Sequence, residues 1–212
     1  NEGFMAPSLA ALYTSPRWTI TSGAGDIDAY RNPLLNEGPY VMRTYFGGNP
    51  ELQAQESEGR TYGFVLDVPG VSGLSLTADA WKITRTNLLG QRSLAQINDS
   101  DTALLRAWTA AQIAAGVPVN QIDTGSGGPN YRGDPDVQRL PLTAEDRAAF
   151  AAYNAANPMN PAAPVGRIFA RNRPFLNLSS SEHAGVDFGF RYALPRFSWG
   201  RVVVNSDWSY LG

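Results

Sequence analysis

The chain has 212 residues, a formal net charge of −2, 43% hydrophobic residues and no cysteine. Near-neutral charge leaves no overall electrostatic footprint for nucleic acid or anionic lipid, and the absence of cysteine excludes disulfide frameworks, thiolate metal sites and cysteine nucleophiles. No run approaches the ~18 consecutive apolar residues of a membrane helix, which excludes a helical membrane protein but not membrane strands, whose polar face dilutes hydropathy.

Asn1-Glu2-Gly3-Phe4 lacks the basic start, apolar run and cleavage site of a signal peptide. The expectation is that export information was removed or that the sequence is a piece of a longer one. Gly3 to Tyr13, broken by Pro7, reads as the end of a strand. Residues of about 8–56 are rich in Gly, Pro, Asn and Ser, with Arg31-Asn32-Pro33 and Gly47-Gly48-Asn49-Pro50 as turn signals, and read as an outer loop. A strand follows over about 57–69, where Tyr62, Phe64, Leu66 and Val68 alternate with Thr61, Gly63, Val65 and Asp67. Pro69-Gly70-Val71-Ser72-Gly73 turns it into a return strand over about 74–86, with Leu74, Leu76, Ala78 and Ala80 opposite in parity to Ser75, Thr77 and Asp79. Parity blurs around Trp81, Lys82 and Ile83, as at a bulge or at the border of a membrane band.

Between about 87 and 173 the two-residue period disappears, and the segment reads as a long outer loop carrying two short helices. One is capped at Asp99 or Ser100, carries Leu104, Leu105, Trp108 and Ala111, and ends at Gly116. The other starts at Thr143, where Thr143-Ala144-Glu145-Asp146 resembles a capping box, and ends at Asn157-Pro158. Strands of about 175–194 and 199–211 close the sequence, folded back at Pro195-Arg196. Val186, Phe188, Phe190 and Tyr192 share one parity, as do Val202, Val204, Trp208 and Tyr210. These runs are longer and more aromatic than sandwich strands, and a tilted strand of about 9–11 residues with rings near its ends suits a bilayer crossing. Tyr62, Phe64, Val186, Phe188, Phe190, Tyr192, Trp208 and Tyr210 are therefore expected to face lipid, and Asp67, Asp79, Asp187, Arg191, Arg201 and Asp207 a polar lumen.

Four short stretches resemble one family. Gly3-Phe4-Met5-Ala6-Pro7-Ser8-Leu9 followed by Leu12-Tyr13, Asn49-Pro50-Glu51-Leu52-Gln53-Ala54-Gln55-Glu56-Ser57, Ala184-Gly185-Val186-Asp187 and Trp208-Ser209-Tyr210-Leu211 are similar, in order and spacing, to barrel segments of TonB-dependent outer-membrane receptors. Met5, Ala11 and Ala54 depart from the family pattern without disturbing a strand face. The resemblance implies an all-β chain forming a late-middle part of a 22-stranded antiparallel transmembrane barrel in the cell outer membrane, with the plug domain absent from this sequence. It further implies as partners the outer-membrane lipid, the remaining strands and plug of the same receptor, the TonB system acting through that plug, and a small scarce solute. The solute would be a siderophore, cobalamin, oligosaccharide or peptide.

No catalytic residue, metal ligand set or cofactor site is expected. His183 is the sole histidine, and no nucleophile elbow accompanies Ser179, Ser180 and Ser181. Arg106, Trp108, Tyr131 and Arg132, with Asp134 and Asp136, are the polar and aromatic groups of the long loop able to meet a ligand, although an aromatic at helical spacing more often packs a core. Arg132-Gly133-Asp134 spells an integrin-type tripeptide at chance level and reads as a turn. Two other readings stay open: a non-transporting structural or adhesin barrel, and a soluble β-sandwich that binds carbohydrate.

Overall fold

The alternating runs pair into one sheet, and the segments between them build a second folded unit. In the computed structural model, which describes residues 1–21 and 27–212, the first half contains β1 (Glu2–Met5), α1 (Leu9–Tyr13), β2 (Arg17–Thr21), α2 (Asn32–Leu35), β3 (Met42–Gly47), β4 (Gln55–Asp67) and β5 (Leu74–Gly90). Then come α3 (Leu94–Ala114), a 3-10 turn (Val119–Gln121), β6 (Val137–Arg139), α4 (Ala144–Ala156), β7 (Ile168–Pro174), β8 (Leu176–Ala193) and β9 (Val203–Leu211). The chain divides into two compact units, one of Asn1–Ser8, Glu51–Gly90 and Leu176–Gly212, the other of Leu9–Pro50 and Gln91–Phe175.

The first unit is an antiparallel sheet in the order β1-β4-β5-β8-β9. Its β4–β5 turn needs Gly70 and Gly73, both at φ +84°, a region where a Cβ is strained. Register is continuous through Trp81, Lys82 and Ile83; the irregularity lies further on, between Arg85 and Leu89, where Asn87 has φ +56°. The blurred parity has a different cause: Trp81 and Ile83, like Val65 on β4, are apolar residues on the mostly polar face, opposite Gly185 and His183. A side chain at position 185 would lie 2.7 Å from the Trp81 ring, so glycine leaves room for the indole.

The second unit holds a mixed sheet in the order β2-β3-β7-β6, with β3 and β7 parallel and the outer pairs antiparallel. Tyr30, Leu105, Phe150, Ala162 and Val165 form one buried cluster, and Met42, Ile97, Val137 and Ile168 another. Both long helices start at capping boxes: Ser93 and Gln96 for α3, Thr143 and Asp146 for α4. The α4 start agrees with the sequence signal, whereas α3 begins about two turns before the expected cap, and Asp101 points into the interior with only 1% of its surface exposed.

The expected all-β architecture is overturned. Helix accounts for 22% and strand for 40% of the chain, the two sheets are open, and no closed 22-stranded barrel is formed. The physical reason lies in the two segments read as outer loops, 8–56 and 87–173. Their apolar residues are too scattered to show a period, yet they converge on the two buried clusters and make a helix-bearing unit with its own sheet. The part of the first loop at residues 22–26 lies outside the described residues.

Candidate functional site

Register turns the alternation of single strands into a surface. Tyr62, Ala80, Val186 and Tyr210 form one rung; Phe64, Ala78, Phe188 and Trp208 the next; Leu66, Leu76, Phe190 and Ser206 a third; Leu74, Tyr192 and Val204 a fourth. Directly opposed residues share a face, so the eight residues expected to face lipid lie together. On the other face Gly63, Asp79, Asp187 and Ser209 make one rung, and Asp67, Ser75, Arg191 and Asn205 another, with Asp207 opposite Gly189. Arg201 precedes β9 and stands at its entrance. Asp79 and Asp187 are direct neighbours, and none of these charged groups forms an ion pair with another described residue.

This sheet has no core. Among the described residues Gly185 is the only buried position in its five strands, and Leu52 is the only buried hydrophobic side chain of its unit. Tyr62 is 73%, Phe64 61%, Trp208 59% and Tyr210 70% exposed. A sheet with one apolar face must bury that face against something, and an exposed aromatic patch of this kind marks an interaction surface.

The second unit buries charge as well as hydrocarbon. Arg139 and its partners Asp28 and Asp101 are each about 1% exposed at their side chains; Arg139 donates to Asp28 at 2.7 Å, to Asp101 at 2.8 Å and to the Gly166 carbonyl at 2.7 Å. The Tyr40 hydroxyl donates to Asp28 at 2.8 Å and accepts from the Ile168 N–H. Burial pushes the Asp28 carboxyl up, but the Arg139 charge, the Arg139 hydrogen bonds and those of the Arg31 N–H and Tyr40 outweigh it and hold it below the usual carboxylate range. A second node joins Arg31 to Glu37 at 2.6 Å, to Asp146 at 2.7 Å and to the Val165 carbonyl. A third joins Arg92 to Asp134 at 2.5 Å and Asp136 at 3.0 Å. Nearly every charged group here has its partner, the condition under which buried ions are tolerated.

The four expected ligand-contacting residues do not form one site. Tyr131 turns inward, its hydroxyl donating to Asp101 at 2.7 Å and accepting from Arg139 at 2.7 Å. Arg132 lies over the Trp108 ring at 4.7 Å, and the Trp108 N–H donates to the Asp123 carbonyl at 3.0 Å. Arg106 sits apart, on a cleft of about 250 Å³ with Tyr30, Thr109, Ile113 and Pro161. Burial pushes the Tyr30 hydroxyl up to about 12, and it donates to the Ala163 carbonyl. Asp134 and Asp136 are held by Arg92, and Gly133 packs so closely that a Cβ would meet Asp101, which makes Arg132-Gly133-Asp134 a structural turn. His183 is an exposed strand residue of β8.

Sequence reasoning missed the Arg139 network because its members are distant: Asp28 and Arg139 are 111 positions apart. No spacing rule joins them. The chain matches no protein-family model, no curated protein and no solved structure.

Proposed function

We propose that the chain is part of an outer-membrane receptor of the TonB-dependent kind, serving active uptake of a scarce solute. The five-stranded sheet turns its apolar face to lipid, and the helix-bearing unit takes part in meeting the solute. Further strands of the same receptor pair with the free edges of the sheet, since unpaired backbone groups in hydrocarbon are costly. The four motif resemblances support the receptor class. One observation carries the membrane part: an apolar face of four rungs, opposite a mostly polar face, on which Tyr62, Phe64, Phe188, Trp208 and Tyr210 are exposed. Lipid supplies the missing cover.

These 212 residues contain no cysteine, so each introduced cysteine is the only one in this stretch, and labelling is read against the protein without it. Phe188→Cys and Phe64→Cys should resist a water-soluble maleimide in isolated outer membranes and become reactive in denaturant, while Ser75→Cys stays reactive throughout. Equal labelling of all three would overturn the lipid-facing reading. For the uptake role, cells lacking the protein should lose energy-dependent accumulation of one solute among siderophores, cobalamin, oligosaccharides and peptides. Unchanged uptake of all four classes would overturn the receptor reading.

A further inference from the structure

We propose that the tip of the β8–β9 hairpin, Pro195 to Arg201, is a headgroup anchor that binds the phosphate of anionic phospholipid; the inference rests on the lipid-facing reading of the sheet. It starts from a shortfall in length. An apolar band ~25 Å tall crossed by strands tilted ~35–45° needs about 33 Å of strand. The four apolar rungs run along β8 only from Val186 to Tyr192, about 20 Å at ~3.3 Å per residue. About 13 Å is missing.

The band does not extend toward β1. The next positions on the same face hold Arg60, Lys82 and Ala184, then Glu2, Glu58, Thr84 and Glu182, with exposed ion pairs Lys82–Glu182 and Arg60–Glu58 at 2.7 Å each. It extends the other way. The β8–β9 hairpin continues past the β4–β5 turn: the Leu194 N–H donates to the Val202 carbonyl at 3.0 Å, and Phe197 and Gly200 pair beyond it. There Phe197 and Trp199 stack with ring centroids 5.0 Å apart and planes 7° from parallel, and Trp199 remains 73% exposed. A stacked ring pair held at a turn and exposed to solvent is suited to the headgroup level, where amphipathic rings collect.

Charge selects the headgroup. From Phe188 to Ser206 the chain carries Arg191, Arg196 and Arg201 and no carboxylate. Arg196 and Arg201 flank the ring pair, are exposed, and enter no ion pair among the described residues; Arg201, expected on the lumen side, precedes β9 and lies at the turn, outside the paired rungs that define the two faces. Two guanidinium groups free to bind phosphate oxygens bidentately, beside rings at the interface, fit an anionic phosphodiester.

The test compares the full chain, diluted from detergent into vesicles of phosphatidylcholine alone or mixed with phosphatidylglycerol. Binding should be tighter to the mixed vesicles and weaken with salt. Arg196→Gln or Arg201→Gln should weaken it roughly 5-fold and the double variant roughly 25-fold; Trp199→Ala should weaken binding to both vesicle types. Arg147→Gln, an exposed arginine of α4, should change nothing. Equal binding to both vesicle types, a double variant that binds like the native chain, or an equal loss with Arg147→Gln would overturn the anchor while leaving the lipid-facing sheet intact. Absence of binding to either vesicle would overturn the sheet reading and the anchor with it.

Discussion

The two units solve the problem of burial in opposite ways. The helix-bearing unit, with strands of 3–7 residues, packs Leu105, Phe150 and Ile168 out of water and balances Arg139, Arg31 and Arg92 against carboxylates in its interior. The five-stranded sheet has strands of up to 18 residues and buries almost nothing. Strand length is therefore a poor guide to self-sufficiency. What separates the units is the fate of their apolar surface: one buries it inside the chain, the other leaves it exposed.

The largest expected effects break each unit by its own means. Arg139→Met strands Asp28 and Asp101 as buried charges without their cation, and should cost the helix-bearing unit about 3–5 kcal/mol, read as loss of helical circular dichroism at lower denaturant. The same substitution should leave vesicle binding of the sheet unchanged. Phe188→Arg should do the reverse. Facing lipid near mid-band, it should cost on the order of 2–4 kcal/mol of membrane-inserted stability, while Asp187→Asn on the polar face costs much less; measured costs in the opposite order would reverse the face assignment. Of intermediate size is the effect of acid. Asp28, Glu37, Asp134 and Asp146 all titrate below their ordinary values in the folded unit. Their stabilisation is present above the unfolded values of about 3.9 for Asp and 4.3 for Glu, and is lost as pH falls through the depressed folded values. Asp136 runs the other way: burial raises it, so its contribution is present in acid and lost as pH rises through its folded value. Helical signal should therefore fall cooperatively below about pH 4, and a helical unit unmoved by acid would contradict the role given to the network. Smaller still, Thr143→Ala removes the α4 cap and should cost about 1 kcal/mol. Arg132→Ala, which takes the guanidinium off Trp108, should cost about 0.5–1 kcal/mol, read from the same denaturation curves.

The sheet was legible because a two-residue period is local. Phe188 and Phe190 announce a face by their own spacing, and the Pro69 to Gly73 turn by its composition. The pairing partners were legible only in part. β1 is four residues long, and its pairing with β4 depends on Gly3 meeting Ser57 across more than fifty positions. The helix at Thr143 could be read from its capping box, whereas the box at Ser93 and Gln96 was overlooked in favour of Asp99, a residue inside α3. The second unit was read as loop for a physical reason: its short strands show no alternation, and its central arginine is held by residues from three separate stretches, Asp28, Asp101 and Tyr131. Tyr131 looked available for a ligand because sequence gives residue type and not direction; its hydroxyl is spent on Asp101 and Arg139.

Hydrogen exchange of the backbone amides, followed in water and again in lipid vesicles, tests most directly whether the sheet depends on cover from outside the chain. Amides of β4, β5, β8 and β9 should exchange rapidly in water and become protected in vesicles, while those of α3, α4 and β7 are protected in both. Equal and strong protection of the sheet in water, in a monomeric chain without lipid, would contradict the account.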